Sequence, residues 1–599
     1  MRERQMRPAL ARTRASRVTS TLARLRQETA WLLFGIVVLA AVLVALFGTG
    51  DQTQLLFSTC LFAVLAYAWN IISGLSGYVS FGQVGFFGIG AYVAATCQIL
   101  WQWDWYLAAL GAVLAAIVLA LPLGTVMLRL QGIFFALGMF GLSRIGALIA
   151  TSTSLVGGSM GEPVPMVGTT QETALVMLGC AVGAVVLTAW LLRSPLGLRL
   201  LALRDDEKAA EASGINTNAS KVIAFCLSAA LAALAGSLYV WNVGFIDPGS
   251  AFNNTYELQT ILMVLFGGIG TLWGPLLGAV VISLISNALW AQFPQQQQII
   301  LGALILIAVI WMPGGLVSLF QRFGWLRRRP VWGPPPPIGT EKRLPLFPVA
   351  VGNTDESVLC CQEVTRRFGG LTALNRVSLE ARSGRIVAVI GPNGAGKTTL
   401  FNLITGFDRC NGGAIRLGER LLNRLAPYRI ARAGIARTFQ TCRPFPSLTA
   451  WETLLLPALV ASASKEEAIR AAAQMLERLA LRDQWDASPE SLPPGQLRFL
   501  EIGRALMLRP RVLLLDEVMA GMSPEEIRLI HTLLREAVAA GCAVVAIEHV
   551  VPAIMPIADH VYVLDFGTTI AQGRPDEVLR NPAVIEAYLG TGEEEPVNA

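Results

Sequence analysis

The sequence predicts an α-helical polytopic membrane domain of about ten transmembrane helices, followed by an α/β domain built around a phosphate-binding loop. Three observations carry this reading. The N-terminal half is a train of apolar segments of bilayer-spanning length. Residues 391–399 read Gly-Pro-Asn-Gly-Ala-Gly-Lys-Thr-Thr between an apolar strand pattern and a helix-favouring run. A proline-rich stretch separates the two halves. A chain of 599 residues exceeds one core. Its composition is 54% hydrophobic and 15% charged, whereas a soluble domain carries about 25% charged residues. The expected boundaries are a basic arm at 1–29, a transmembrane domain at 30–320, a linker at 321–356 and the α/β domain at 357–599.

The arm holds eight Arg and one Glu in its first 27 residues, which supply much of the net charge of +6. This is no nucleic-acid signature, and no nucleic-acid partner is expected. The arm has transit-peptide character, but a cytoplasmic anchor ahead of the first helix fits the remaining topology better. The nine Cys contain no CxxC pair and read as packing or incidental thiols rather than a zinc site or disulfide framework.

Segments suited to spans of about 20 residues fall near 30–48, 54–72, 84–100, 105–127, 132–150, 173–192, 221–242, 255–269, 272–290 and 297–313. Charges test their order. The basic N-terminus, the loop 193–221 with Arg199, Arg204 and Lys208, and Arg327, Arg328 and Arg329 all fall on one side. The loops 151–172 and 243–254, on the other side, contain Glu162, Glu172 and Asp247 but no Lys or Arg. An even number of crossings with both termini and the α/β domain in the cytoplasm follows from the positive-inside rule. The chain is therefore expected to be a multi-pass protein of the cell inner (plasma) membrane, in contact with membrane lipid.

Gly85, Gly88 and Gly90 suit close helix packing. The cluster Gly267, Gly268, Gly270, Gly274 and Pro275 suits either packing or a broken helix lining a pathway. Arg144 lies well inside an apolar segment, where a charge costs roughly 2.5–3.5 kcal/mol on insertion scales. It either faces the pathway or reaches the outer interface. The charged stretch 203–215 is a solvated loop or a helix that docks into the α/β domain. The linker, with Pro330, Pro334 to Pro337, Pro345 and Pro348, reads as a semi-rigid extended tether.

In the α/β half, Arg385 to Ile390 is a short apolar strand pattern that runs into the loop, and a helix pattern begins at Thr399. Gly391, Gly394 and Gly396 let backbone N–H groups wrap phosphates, Lys397 reaches the β/γ-phosphates, and the Thr398 hydroxyl suits Mg²⁺. With Asn393, Ala395 and Thr399 these are the candidate nucleotide-binding residues. A second apolar run, Val512 to Leu515, ends in Asp516 and Glu517. Asp516 suits the Mg²⁺ shell, and Glu517 suits orienting or deprotonating the attacking water. A third run, Ala543 to Ile547, precedes Glu548 and His549, and His549 is a candidate γ-phosphate sensor.

These residues together resemble an ABC-transporter ATPase. The resemblance implies that Gln440, in Arg437-Thr438-Phe439-Gln440, is the Q-loop glutamine that contacts Mg²⁺ and the permease. It also implies that Phe368 stacks on adenine, although a core Phe is the plainer alternative. The tail Asn581 to Gly590 and the segment Gly521-Met522-Ser523-Pro524 resemble the ATPase of the branched-chain amino-acid uptake family. Residues 85–92, 204–215 and 267–275 resemble the permease of the same system. The likeness covers nearly the whole chain apart from the arm and the linker, as a fused permease and ATP-binding subunit. It implies ATP and Mg²⁺ as cofactors. It also implies three partners: a second permease, a second ABC ATPase and an extracytoplasmic solute-binding protein.

One segment departs from the family pattern. The signature, usually Leu-Ser-Gly-Gly-Gln, reads Leu492-Pro493-Pro494-Gly495-Gln496, so a hydroxyl and two backbone donors are missing. Gly495 and Gln496 remain as its candidate nucleotide contacts. The expected function is ATP-driven import of branched-chain amino acids or related small solutes. The alternatives are a half-size exporter, which the many short-looped segments oppose, and a non-hydrolysing nucleotide-sensing scaffold, which the intact Lys397, Asp516, Glu517 and His549 oppose.

Overall fold

The computed structural model describes residues 30–589 apart from 154–155, 166–167, 294, 297–298, 301, 304–305, 307–309, 313, 323–331 and 338–356. The arm at 1–29, most of the segment 297–313, much of the linker and the tail beyond 589 lie outside the described residues. The described residues fall into two compact units. One lies within Met1–Leu192 and Asn218–Arg328, the other within Arg193–Thr217 and Arg329–Ala599.

In the first unit, seven described helices are long and apolar enough to cross a membrane: Ala30–Phe47, Gly50–Leu75, Gln83–Trp101, Trp105–Met127, Ile133–Ser152, Thr170–Leu192 and Thr217–Val243. The predicted segments at 255–269 and 272–290 form the helices Asn254–Gly267 and Gly274–Gln292. The first of these has 14 residues, about 21 Å at 1.5 Å per residue, which is shorter than a bilayer core of about 30 Å. Glycine sets that limit: Gly268 and Gly270 adopt φ of 131° and 72°, which residues with a Cβ disfavour.

The resulting break carries backbone groups that lipid could not satisfy, and a second irregularity meets them. The helix Gly50–Trp69 widens into a π-helical turn at Asn70–Leu75. From this region Asn70 Oδ1 accepts the Gly270 N–H at 2.8 Å, Asn70 Nδ2 donates to Thr271 O at 3.2 Å, and the Tyr67 hydroxyl donates to Leu272 O at 2.7 Å.

Elsewhere small residues govern packing. On Trp105–Met127 the fully buried residues Ala108, Ala112, Ala116 and Ala120 recur every fourth position, while Leu114, Val118 and Leu121 are exposed. Ala108 and Ala112 pack on Ala94 and Cys97 of the preceding helix, the close approach that small residues permit. The two loops predicted to be external pair with each other: Glu162–Pro163 lies antiparallel to Phe245–Ile246. They therefore share one face of the unit. Arg144 is exposed, its guanidinium 5.4 Å from the Phe140 ring centroid.

The second unit contains a six-stranded sheet in the order Thr568–Gly573, His560–Asp565, Ile386–Ile390, Ala543–Ile547, Val512–Asp516, Ile435–Arg437. All neighbours are parallel except the edge pair Thr568–Gly573 with His560–Asp565. The central strands Ile386–Ile390, Ala543–Ile547 and Val512–Asp516 are buried throughout, which explains their unbroken apolar sequence. An antiparallel sheet runs Leu371–Arg382, Ser357–Phe368, Gly412–Leu417, Arg420–Leu421. A set of helices follows from Ala450 to Leu506.

The described part of the linker is not a free tether. The Trp332 N–H donates to Glu452 Oε1 at 3.3 Å, Lys465 Nζ sits 4.4 Å from the Trp332 ring centroid, and Arg482 Nη2 donates to Pro336 O at 2.7 Å. Proline carbonyls have no neighbouring prolyl N–H to satisfy them, so an arginine can take them as acceptors. Trp332–Pro337 thus lies on the helices of the second unit.

Candidate functional site

Three adjacent parallel strands end side by side. Ile386–Ile390 leads into the loop 391–396, Ala543–Ile547 into Glu548 and His549, and Val512–Asp516 into Glu517. Ligands of open α/β sheets bind at the carboxyl ends of strands. The sheet therefore brings together residues that lie as much as 158 positions apart in sequence.

The loop wraps as its glycines require. Gly391, Gly394 and Gly396 have φ of 149°, 83° and 95°, and Gly396 caps the helix Lys397–Ile404. Asn393, Gly394 and Thr398 are exposed, Gly396 and Thr399 are half-buried, and Ala395 is buried. Lys397 is 5% exposed, and its Nζ donates to the loop carbonyls Gly391 O and Pro392 O, each at 2.8 Å. Burial lowers its pKa, opposed by Glu517 and Asp516. Its ammonium is thus held inside the loop that would curl around phosphates.

Glu517 is the hub of the polar contacts. His549 Nε2 lies 2.7 Å from Glu517 Oε1, Gln440 Nε2 donates to Glu517 Oε2 at 2.8 Å, and Arg498 Nη1 donates to Glu517 O at 3.0 Å. The structure therefore gathers Gln440, Glu517 and His549 into one cluster. Phe368 lies at the end of Ser357–Phe368, 46% exposed, with the Arg366 guanidinium 4.3 Å from its ring centroid. A half-exposed ring of this kind is free to stack on a flat ligand.

Asp516 is fully buried. Its Oδ2 pairs with Arg437 Nη2 at 2.9 Å, and its N–H donates to Thr438 Oγ1. Oδ1 is enclosed and makes no hydrogen bond. Burial pushes its carboxyl above the usual range, although Arg437 pulls the other way. An enclosed carboxylate oxygen without a donor fits a hard cation with oxygen ligands. Asp516 thus stays a candidate Mg²⁺ holder, alongside the sequence candidates Thr398 and Gln440.

Arg437 is the functional neighbour that motif reading passed over. Besides Asp516, it donates to Asn402 Oδ1 at 2.6 Å and Thr405 Oγ1 at 3.2 Å on the helix behind the loop. Its one sequence signal is a charge directly after the apolar pair Ile435-Ala436 at a strand end.

The signature segment begins the helix Pro494–Leu506, with Pro493 as cap and Pro494 at the first helical position. Proline suits that position because its missing N–H would have no intrahelical acceptor. The double proline therefore leaves the helix start intact, and its cost falls only on donors toward a ligand. Gly495 and Gln496 occupy the first turn, half-buried.

The segment Arg193–Thr217 belongs to this unit. It forms the helices Pro195–Asp205 and Glu207–Ala212, with Asp206 capping the second. Asp205 accepts from Ser447 N–H and Oγ, each at 2.7 Å. Asp206 Oδ2 pairs with Arg443 Nη1 at 2.7 Å, and Arg432 Nε donates to Gly214 O at 2.7 Å. Arg443 is three residues beyond Gln440.

Residues 52–309 match the family described as branched-chain amino acid transport system / permease component. Residues 374–520 match ABC transporter, and 568–594 match branched-chain amino acid ATP-binding cassette transporter. The high-affinity branched-chain amino acid transport ATP-binding protein LivG of Salmonella typhimurium is 40% identical over 253 residues, 39% of this chain and 98% of that protein. The corresponding protein BraF of Pseudomonas aeruginosa is 41% identical over 245 residues, 38% of this chain and 95% of that protein. A solved nucleotide-free ATP-binding cassette from an ABC transporter aligns at 32% identity over 39% of this chain and 100% of its own, with a TM-score of 0.37. A permease match and an ATPase match thus lie in tandem on one polypeptide, and the chain belongs to the branched-chain amino acid ABC transporter family as a fused permease and ATPase.

Proposed function

We propose that this chain imports branched-chain amino acids or related small solutes as the fused permease and ATPase subunit of a heteromeric inner-membrane transporter. One observation carries the reading most strongly. The segment 193–217, which joins two helices of membrane-spanning length, rests on residues 432–447, and Gln440 within that stretch holds Glu517. A change at the nucleotide therefore has a short route to the helices.

ATP binds the loop, with Lys397 on the β/γ-phosphates and Phe368 against the base. Bound Mg²⁺, held through Thr398, Asp516 and Gln440, would neutralise phosphate charge. Glu517 orients the attacking water and takes its proton, and His549 keeps the Glu517 carboxylate in place and senses the γ-phosphate. Both termini and the ATPase face the cytoplasm. A second permease, a second ATPase and an extracytoplasmic solute-binding protein complete the assembly. The prolines at 493 and 494 favour a partner ATPase with an intact signature over a second copy of this chain, since each ATP in this family lies between one loop and the opposite signature.

The test is ATP-dependent uptake of labelled leucine, isoleucine and valine into proteoliposomes that contain the full chain and its partner subunits. Uptake that requires ATP, the binding protein and Lys397 is the expected result. Export, or uptake indifferent to Lys397→Ala, would sink the reading.

A further inference from the structure

Glu548 is a fully buried carboxylate between the last residue of the strand Ala543–Ile547 and His549, and the hydrolytic scheme gives it no task. Its Oε1 accepts the Met519 N–H at 2.9 Å, and its Oε2 is enclosed without a partner. Alternation along an extended chain sends neighbouring side chains to opposite sides. Three consecutive residues accordingly grip the turn after Asp516. Ile547 O accepts the Glu517 N–H at 2.9 Å, Glu548 takes the Met519 N–H, and His549 meets the Glu517 carboxylate.

That turn needs holding. Glu517 has φ of 52°, a left-handed conformation that residues with a Cβ adopt only when their surroundings impose it. Without a fixed amide two residues on, the chain can relax toward right-handed φ and swing the carboxylate away from His549 and Gln440. A buried carboxylate is a costly group to keep for packing alone, and burial indeed pushes Glu548 up to about 7.

We propose that Glu548 is a positioning residue for ATP hydrolysis: by binding the Met519 amide it locks the left-handed turn that aims Glu517. It touches neither nucleotide nor water in this role. The proposal rests on Glu517 being the group that handles the attacking water.

The test uses the full chain with its partner subunits and steady-state ATP turnover. Glu548→Leu keeps the volume and loses the acceptor. It should lower kcat by roughly tenfold or more with KM for ATP within about twofold, the pattern of a lost transition-state contact. Glu548→Gln keeps an oxygen that can accept the same N–H and should retain about half of kcat or more. Wild-type kcat in Glu548→Leu, equal losses in both variants, or a raised KM at unchanged kcat would each overturn the proposal. If Glu548→Leu fails to fold, hydrogen exchange on the unmodified protein decides: a protected Met519 amide supports the clamp, and exchange as fast as an exposed loop amide refutes it. Glu517→Gln run alongside separates the two levels, because turnover surviving that change would remove the premise rather than the clamp.

Discussion

Arg437 Nη2 lies 2.9 Å from Asp516 Oδ2, and the two side chains are 3% and 1% exposed. The pair leaves Asp516 Oδ1, enclosed and without a hydrogen bond, as the carboxylate oxygen not engaged by Arg437. It also ties the strand end to Asn402 and Thr405 on the helix behind the phosphate loop. Removing one partner of a buried pair costs about 3–5 kcal/mol, because the other charge is left uncompensated. Arg437→Met should therefore lower the unfolding midpoint of the ATPase unit sharply and weaken Mg²⁺-dependent nucleotide binding. Arg437→Met with unchanged thermal unfolding and nucleotide affinity would contradict this.

Glu517→Gln preserves shape and the Gln440 and His549 neighbours while removing the base. General-base catalysis contributes about 10²–10⁴-fold, so ATP turnover should fall by a factor in that range with ATP binding retained. Uptake should fall in parallel. The measurement is single-turnover hydrolysis beside equilibrium nucleotide binding.

Asp205 and Asp206 each make charge-assisted or paired hydrogen bonds to the 443–447 stretch. Hydrogen bonds to charged groups contribute about 1.5–3 kcal/mol. The double change Asp205→Ala and Asp206→Ala should cut solute uptake several-fold while ATP still binds, so fewer solutes move per ATP hydrolysed. An unaltered ratio of uptake to hydrolysis would show that coupling runs elsewhere.

Glu548 also gives the ATPase unit a pH signature. An unfolded glutamate loses its proton near pH 4.3, whereas the folded one keeps it to about 7. Over that window the unfolded state binds fewer protons, so stability falls as pH rises, and above about 7 the loss is complete. Glu548→Gln lacks this swing, and its unfolding midpoint should gain on the wild type between pH 5 and pH 8. Parallel melting curves for the two proteins across that range would contradict the assignment.

Contiguous chemistry was legible in the sequence. The loop 391–399, the Asp516-Glu517 strand end and His549 each announce themselves within ten residues, because a buried parallel strand is one short apolar run and the glycines follow it directly. What needed the fold were pairings across long separations. Arg437 meets Asp516 over 79 positions, and Asn70 meets Thr271 over 201. Periodicity is silent about such partners. The cluster at 267–275 left close packing and a helix break both open, and it gave no sign of the π-helical turn that meets the break. The charged stretch 203–215 allowed a solvated loop or a docking helix, and it did not single out Asp205 and Asp206 as the groups that meet Ser447 and Arg443. The prolines at 493 and 494 signalled lost donors, and the fold adds that the helix start itself survives them.

The seating of Trp332–Pro337 on Glu452, Lys465 and Arg482 bears on assembly. LivG of Salmonella typhimurium and BraF of Pseudomonas aeruginosa align with 39% and 38% of this chain, whereas this chain carries a permease match as well. On this chain the permease and ATPase matches are covalently joined, and in the proposed assembly a short connection holds two such parts at an effective concentration on the order of millimolar. In that assembly a freely diffusing ATPase would compete poorly with a tethered one. In the proposed assembly, subunit choice is then confined to the second ATPase position, where the opposing signature is supplied.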